Sequence, residues 1–132
     1  MTPYLTYNGN CREAMQFYCD RLGATLQMMM RIGDAPMADQ IPADQHDRIM
    51  HARIQLNGLV LMASDAMSGF PWEGHKGFSL SLNPTDPAEA ERLFAALADG
   101  GTVTMPLEKT FWARLFGTVT DRFGVPWMVN CE

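Results

Sequence analysis

Apolar and polar positions change period several times along this chain, and each change marks an element. From Cys11 to Leu22 the apolar residues are Cys11, Ala14, Met15, Tyr18, Cys19 and Leu22. Their spacing of i, i+3, i+4, i+7, i+8 and i+11 is one face of an α-helix. Asn10 stands at the N-cap position, and Gly23 stands where a helix leaves through a left-handed residue. A second helix starts after Asp86, with Pro87 at its first position and Glu89 placed to complete a capping box. Ala90, Leu93, Phe94 and Leu97 are its apolar face, and Gly100-Gly101 stop it.

Between the helices the pattern shortens to that of strands. Residues 3–7, 24–32, 49–56, 59–63, 78–82 and 102–106 read as β, with little alternation in the Met28-Met29-Met30 run. Asn57-Gly58 between two such runs is a strong hairpin signal. Residues 110–132 predict a last hairpin around Asp121-Arg122-Phe123-Gly124, whose glycine can take positive φ. Residues 33–48 hold Gly, two Pro and four Asp, so a long loop is expected there, a candidate lid or binding loop. A second loop at 64–76 carries Phe70-Pro71-Trp72, with Trp72 a candidate lid or dimer contact.

The two halves repeat. Glu13-Ala14-x-x-Phe17-Tyr18 matches Glu89-Ala90-x-x-Leu93-Phe94, 76 positions later, and each half runs βαβββ. The modules cover about 1–66 and about 77–132. Either is small for an independent core, so the expectation is a single α+β domain over 1–132, its modules sharing one sheet or closing around a common cavity.

Composition narrows the function. A formal net charge of −5 argues against a nucleic-acid partner and against anionic membrane surfaces. No apolar run approaches the roughly 18 residues of a spanning helix. The N-terminus lacks the charged and apolar regions of a signal peptide. The three cysteines, Cys11, Cys19 and Cys131, form no Cys-x-x-Cys pair and read as reduced, buried thiols of a cytoplasmic protein.

The chain resembles the PhnB-like branch of the vicinal oxygen chelate superfamily, which includes glyoxalase I, bleomycin-resistance proteins and extradiol dioxygenases. The resemblance rests on Asn8-Gly9-Asn10-Cys11-Arg12-Glu13-Ala14, Phe17-Tyr18, Met50-His51-Ala52, Ser64-Asp65, the Gly100–Leu107 run, Phe111-Trp112, and the ending from Asp121 to Cys131. It implies a curved, mixed eight-stranded sheet around a cavity, a helix outside each module, and a homodimer. Enzymatic members hold a divalent metal with His, Gln and Glu side chains. The matching positions here are Pro3, near Met62, Phe78 and Met128, which supply no oxygen or imidazole ligand, so no metal is expected. Relatives carry a ubiquinone methyltransferase label. No Gly-rich turn between strand and helix, followed by an acidic residue, is present for a nucleotide-like cofactor, and none is expected.

The candidate ligand wall is Trp112, Phe116 and Trp127, with Phe111 second, and with Phe78, Met62 and Met128 as apolar lining. Strand alternation puts Trp112 and Phe116 on one face and Phe111 on the other. The same aromatics equally suit core packing. His51 is the candidate general base and Asp65 its orienting partner. The structural alternatives are a histidine satisfied by a backbone carbonyl and an aspartate that caps a turn. His46 and His75 read as solvated. Among Glu108, Lys109 and Arg114, one is a candidate contact for an anionic ligand. The expected function is therefore binding of a small aromatic molecule without metal. The alternative is a lyase or isomerase that uses His51 with Asp65 as acid/base groups or as a noncanonical metal site.

Overall fold

A computed structural model of the chain describes residues 1–67 and 69–132. The chain divides into two compact units, Met1–Gly74 and His75–Glu132. Each is taken by itself.

The first unit contains β1 (Tyr4–Tyr7), α1 (Cys11–Leu22), β2 (Thr25–Arg31), β3 (Ile49–Leu56) and β4 (Leu59–Asp65). Its sheet runs β1-β4-β3-β2, with β1 parallel to β4 and the other pairs antiparallel. The hairpin from β3 to β4 turns on Asn57 and Gly58, both at positive φ (52° and 78°), the backbone that the Asn-Gly pair predicted. Leu5, Tyr7, Ala52, Ile54, Leu61 and Ala63 face α1, whose buried residues are Cys11, Ala14, Met15, Tyr18 and Leu22. Gly23 leaves the helix at φ 79°, and the Ala24 N–H donates back to the Tyr18 carbonyl.

The second unit repeats the plan with β5 (Leu80–Leu82), α2 (Pro87–Ala98), β6 (Thr102–Glu108), β7 (Leu115–Thr120) and β8 (Pro126–Cys131). Its order is β5-β8-β7-β6, with β5 parallel to β8. Leu82, Val119, Trp127, Val129 and Cys131 are buried with Ala90, Leu93, Phe94 and Leu97 of α2. Helix and sheet approach closely at Gly117: a Cβ built there would meet the Phe94 ring at 2.8 Å and the Leu107 Cα at 2.9 Å. The βαβββ duplication and the α+β class are as expected, and the strand ladders form two sheets of four.

Four local expectations change. Asn10 makes no side-chain capping bond; the α1 N-terminus is capped from a distance by Asp65, which accepts from the Cys11 N–H at 3.0 Å. Glu89 pairs with Arg92 one turn on, at 2.9 Å, instead of completing a capping box, while Asp86 does cap, accepting from the Ala88 N–H. The strand at 78–82 begins only at Leu80. The strand expected through Phe111 and Trp112 begins at Leu115, because Thr110 closes a turn: its Oγ1 accepts from the Ala113 N–H and its N–H donates to the Ala113 carbonyl. The 33–48 loop is ordered by three single helical turns.

Candidate functional site

Each sheet has one face covered by its helix and one face away from it. Because strand side chains alternate, register and burial decide which candidate lies on which. In the first unit, α1 takes Leu5, Tyr7, Ala52, Ile54, Leu61 and Ala63. The alternate residues Tyr4, Thr6, His51, Arg53, Met62 and Ser64 therefore lie on the opposite face. Tyr4 is directly opposite Met62, and His51 opposite Met30. The Tyr4 hydroxyl is 3.1 Å from His51 Nδ1, with the two rings stacked at 5.7 Å between centroids. That contact uses one imidazole nitrogen and fixes the ring.

Asp65 is not the group that orients His51. It is buried, and its Oδ1 accepts from the Gly9 N–H at 2.8 Å and the Cys11 N–H at 3.0 Å, while Oδ2 accepts from the Ile49 N–H at 2.8 Å. One carboxylate thus ties the β1–α1 turn, the start of α1 and the start of β3 together. Alternation puts Asp65 on the helix side of β4, away from His51. The missed partner of His51 is Tyr4, and its signal was register: β1 runs beside β4 on the same face.

In the second unit, α2 takes Leu82, Gly117, Val119, Trp127, Val129 and Cys131. Ser81, Phe116, Thr118, Met128 and Asn130 fall on the other face, with Ser81 opposite Met128 and Phe116 opposite Asn130. Trp112 joins them from the turn. Its indole N–H donates to Asn130 Oδ1 at 3.2 Å, and its ring meets Phe116 edge-on at 5.2 Å. Phe111 packs edge-on against Trp112 at 4.8 Å and is otherwise fully exposed, so it is not on an opposite face as alternation had suggested. Trp127 is a correction. It is 2% exposed, and its indole N–H donates to Asp121 Oδ2 at 2.8 Å. It belongs to the core under α2, not to the wall that holds Trp112 and Phe116. Phe78 precedes β5, half-exposed, with its ring against His75. An open hollow of about 230 Å³ adjoins this face, lined by Asn83, Pro84, Thr85, Arg114, Asn130 and Glu132.

The fold family implies a divalent metal, and the donor set can be tested directly. Within the first unit the Pro3 carbonyl accepts from the Met62 N–H, and the side chain beside Met62 is Tyr4. Within the second, the residue beside Met128 is Ser81, not Phe78. Neither a thioether beside a phenol in the first unit nor a thioether beside a hydroxyl in the second fits a hard or borderline divalent ion. Among the described residues there is also no group of three or more His, Cys, Asp or Glu placed to hold one. A methyl-donor or nucleotide cofactor fits no better at the helix starts. Asp65 occupies the N–H groups at the start of α1 and Asp86 the one at α2, leaving those amides committed.

His46 is not solvated: its Nε2 lies 2.9 Å from both the Ala38 and Ile41 carbonyls and pins the 33–48 loop. His75 is half-buried, and burial lowers its pKa against the opposing charge of Asp121. Burial, reinforced by Asp65, pushes the Cys11 thiol up to about 12, and burial with Asp20 raises Cys19. Neither is an activated nucleophile. Trp72 donates its indole N–H to the Thr6 carbonyl at 2.8 Å, against edge strand β1. Glu108 and Lys109 are exposed. No helix among the described residues is long and apolar enough to cross a membrane.

Comparison with known proteins agrees with this architecture. A family model described as 3-demethylubiquinone-9 3-methyltransferase matches residues 1–130. The chain is 38% identical to Protein YjdN of Escherichia coli K12, over 98% of this chain and 93% of that one. Protein PA1353 from Pseudomonas aeruginosa is 57% identical, with a TM-score of 0.92 over 100% of this chain and 96% of the other. A PhnB protein from Bacillus cereus shares the fold at 24% identity, with a TM-score of 0.83 over 100% and 98%. The chain has the fold of a glyoxylase/bleomycin resistance protein/dioxygenase domain, and it belongs to the family described as 3-demethylubiquinone-9 3-methyltransferase.

Proposed function

We propose that this protein binds a small, flat aromatic molecule without the superfamily's metal, on the face of β7 and β8 turned away from α2. The observation that carries this reading is Trp112. Its indole is held by Asn130 and set edge-on to Phe116, yet the residue remains 47% exposed. A core tryptophan in the same unit, Trp127, is 2% exposed, so packing alone does not account for Trp112. A rigid aromatic wall with a few polar groups nearby suits a planar ligand. Melting with indole and 2-naphthol as probes tests it. At a probe concentration 100 times Kd the native state gains about 2.7 kcal/mol. Trp112→Ala removes that gain. A wild-type Tm unmoved by millimolar probe contradicts the reading.

A second reading has its own support: the Tyr4–His51 contact, which leaves Nε2 of an oriented imidazole available for acid/base work. In this reading Tyr4, not Asp65, is the positioning group. His51→Ala then abolishes any turnover found while leaving aromatic binding intact; turnover that survives the change contradicts it.

We also propose a homodimer. Exposed apolar residues on the edge strands, Leu26 and Met28 on β2 and Val103 and Met105 on β6, support it. Sedimentation velocity at micromolar concentration gives a dimer in this account and a monomer if it is wrong.

A further inference from the structure

Arg114 is held in place from two sides. Its Nε donates to the main-chain oxygen of Glu132 at 2.8 Å, and one Nη donates to that of Thr85. These acceptors sit just after β8 and on the segment before α2, so the guanidinium is fixed from two sides. Arg114 enters none of the side-chain ion pairs among the described residues. Its other Nη is uncommitted in that set of bonds.

The surroundings make this more than a surface charge. Arg114 lines the 230 Å³ hollow together with Asn83, Thr85 and Asn130. Asn130 joins the hollow to the aromatic wall, since its Oδ1 holds the Trp112 indole. Arg114 immediately precedes β7, with its N–H donated to the Cys131 carbonyl at 2.8 Å, and Phe116 follows two residues later. A ring against Trp112 and Phe116 therefore has a guanidinium within reach of a short side arm. Glu132 also lines the hollow, and its carboxylate accepts from Asn130 Nδ2 at 3.3 Å. That charge opposes an anion and limits the gain.

We propose that the ligand is an aromatic carboxylate, its ring on the Trp112–Phe116 wall and its carboxylate on Arg114. A pre-positioned guanidinium loses little entropy when it pairs, and it offers the donors a carboxylate matches. This inference rests on the aromatic-binding reading above and adds the chemical class of the ligand.

The test compares 3-phenylpropanoate with 3-phenylpropanamide, which share ring and reach and differ in charge. Titration calorimetry on the wild-type protein at pH 7 is expected to give the acid about tenfold tighter binding. In Arg114→Gln the two are expected to bind alike, at the wild-type affinity of the amide. Equal binding of acid and amide to the wild-type protein overturns this inference and leaves the aromatic wall intact. An acid preference that survives Arg114→Gln overturns the assignment to Arg114. Binding of neither probe overturns the aromatic reading itself, and this one with it.

Discussion

Asp65 and Asp121 set the terms at the scale of single residues. Both are buried, and both give their oxygens to donors fixed by the fold. Asp65 takes three backbone N–H groups. Asp121 takes those of Phe123 and Val125 and the Trp127 indole. Asp65→Asn puts an amide where an acceptor is needed, strands a backbone N–H, and is expected to cost about 2 kcal/mol in urea denaturation. An unchanged midpoint would show that those bonds contribute nothing net. Sequence reading named turn-capping as one possible role for Asp65, because Ser-Asp at the end of a strand is turn chemistry. It could not find the donors, which lie 54 and 56 positions away at Cys11 and Gly9. His75 contributes a pH dependence near neutrality. Its folded-state pKa is lowered, so the folded protein holds that proton less well than the unfolded chain does. The stability it contributes is present above the unfolded imidazole value of about 6.5 and falls as pH drops below it. Asp34 and Glu89, lowered mainly by their hydrogen bonds to Arg31 and Arg92, keep their contribution until pH falls below the usual carboxylate values. The drop in Tm between pH 7 and 5.5 is thus expected to shrink in His75→Gln; an identical drop would assign it elsewhere.

Elements form from turn chemistry and from close packing. Asn57-Gly58 and Asp121 to Gly124 were legible because a hairpin turn depends on adjacent residues alone. Gly124 takes φ 86°, and its N–H donates to the Asp121 carbonyl. The face of Trp127 was not legible, because parity along β8 depends on which strand it pairs with and how. Gly117 would have given the clue: a glycine in mid-strand marks close approach of a neighbour, here Phe94 of α2, and its partner Val129 shares that face with Trp127. Gly117→Ala forces a methyl group into the Phe94 ring and the Leu107 backbone. It is expected to cost about 1–3 kcal/mol by thermal or chemical unfolding. A neutral result would mean that the α2–β7 contact is looser than the distances state.

For the molecule as a whole, duplication explains why so much was visible. Two βαβββ halves provide two readings of one plan, and the matching helix signatures at Glu13 and Glu89 fix their alignment. The same plan shows what changed inside it. Tyr4 faces Met62 in one unit and Ser81 faces Met128 in the other, so these positions hold thioethers and hydroxyls instead of a carboxylate and imidazole set. Sequence alignment put Phe78 at the last of these pairs, three residues early, because β5 is only three residues long and its start carries no capping signal. Neither position suits a divalent ion, and the aromatic wall beside Asn130 is the feature that remains to be given a purpose.

The most direct measurement is a two-dimensional NMR titration of the tryptophan indole N–H groups with 3-phenylpropanamide. The account predicts that the Trp112 resonance shifts saturably while that of Trp127, bonded to Asp121 under α2, stays in place. A Trp112 resonance that does not move while the probe binds elsewhere, or that moves only in step with Trp127, would contradict it.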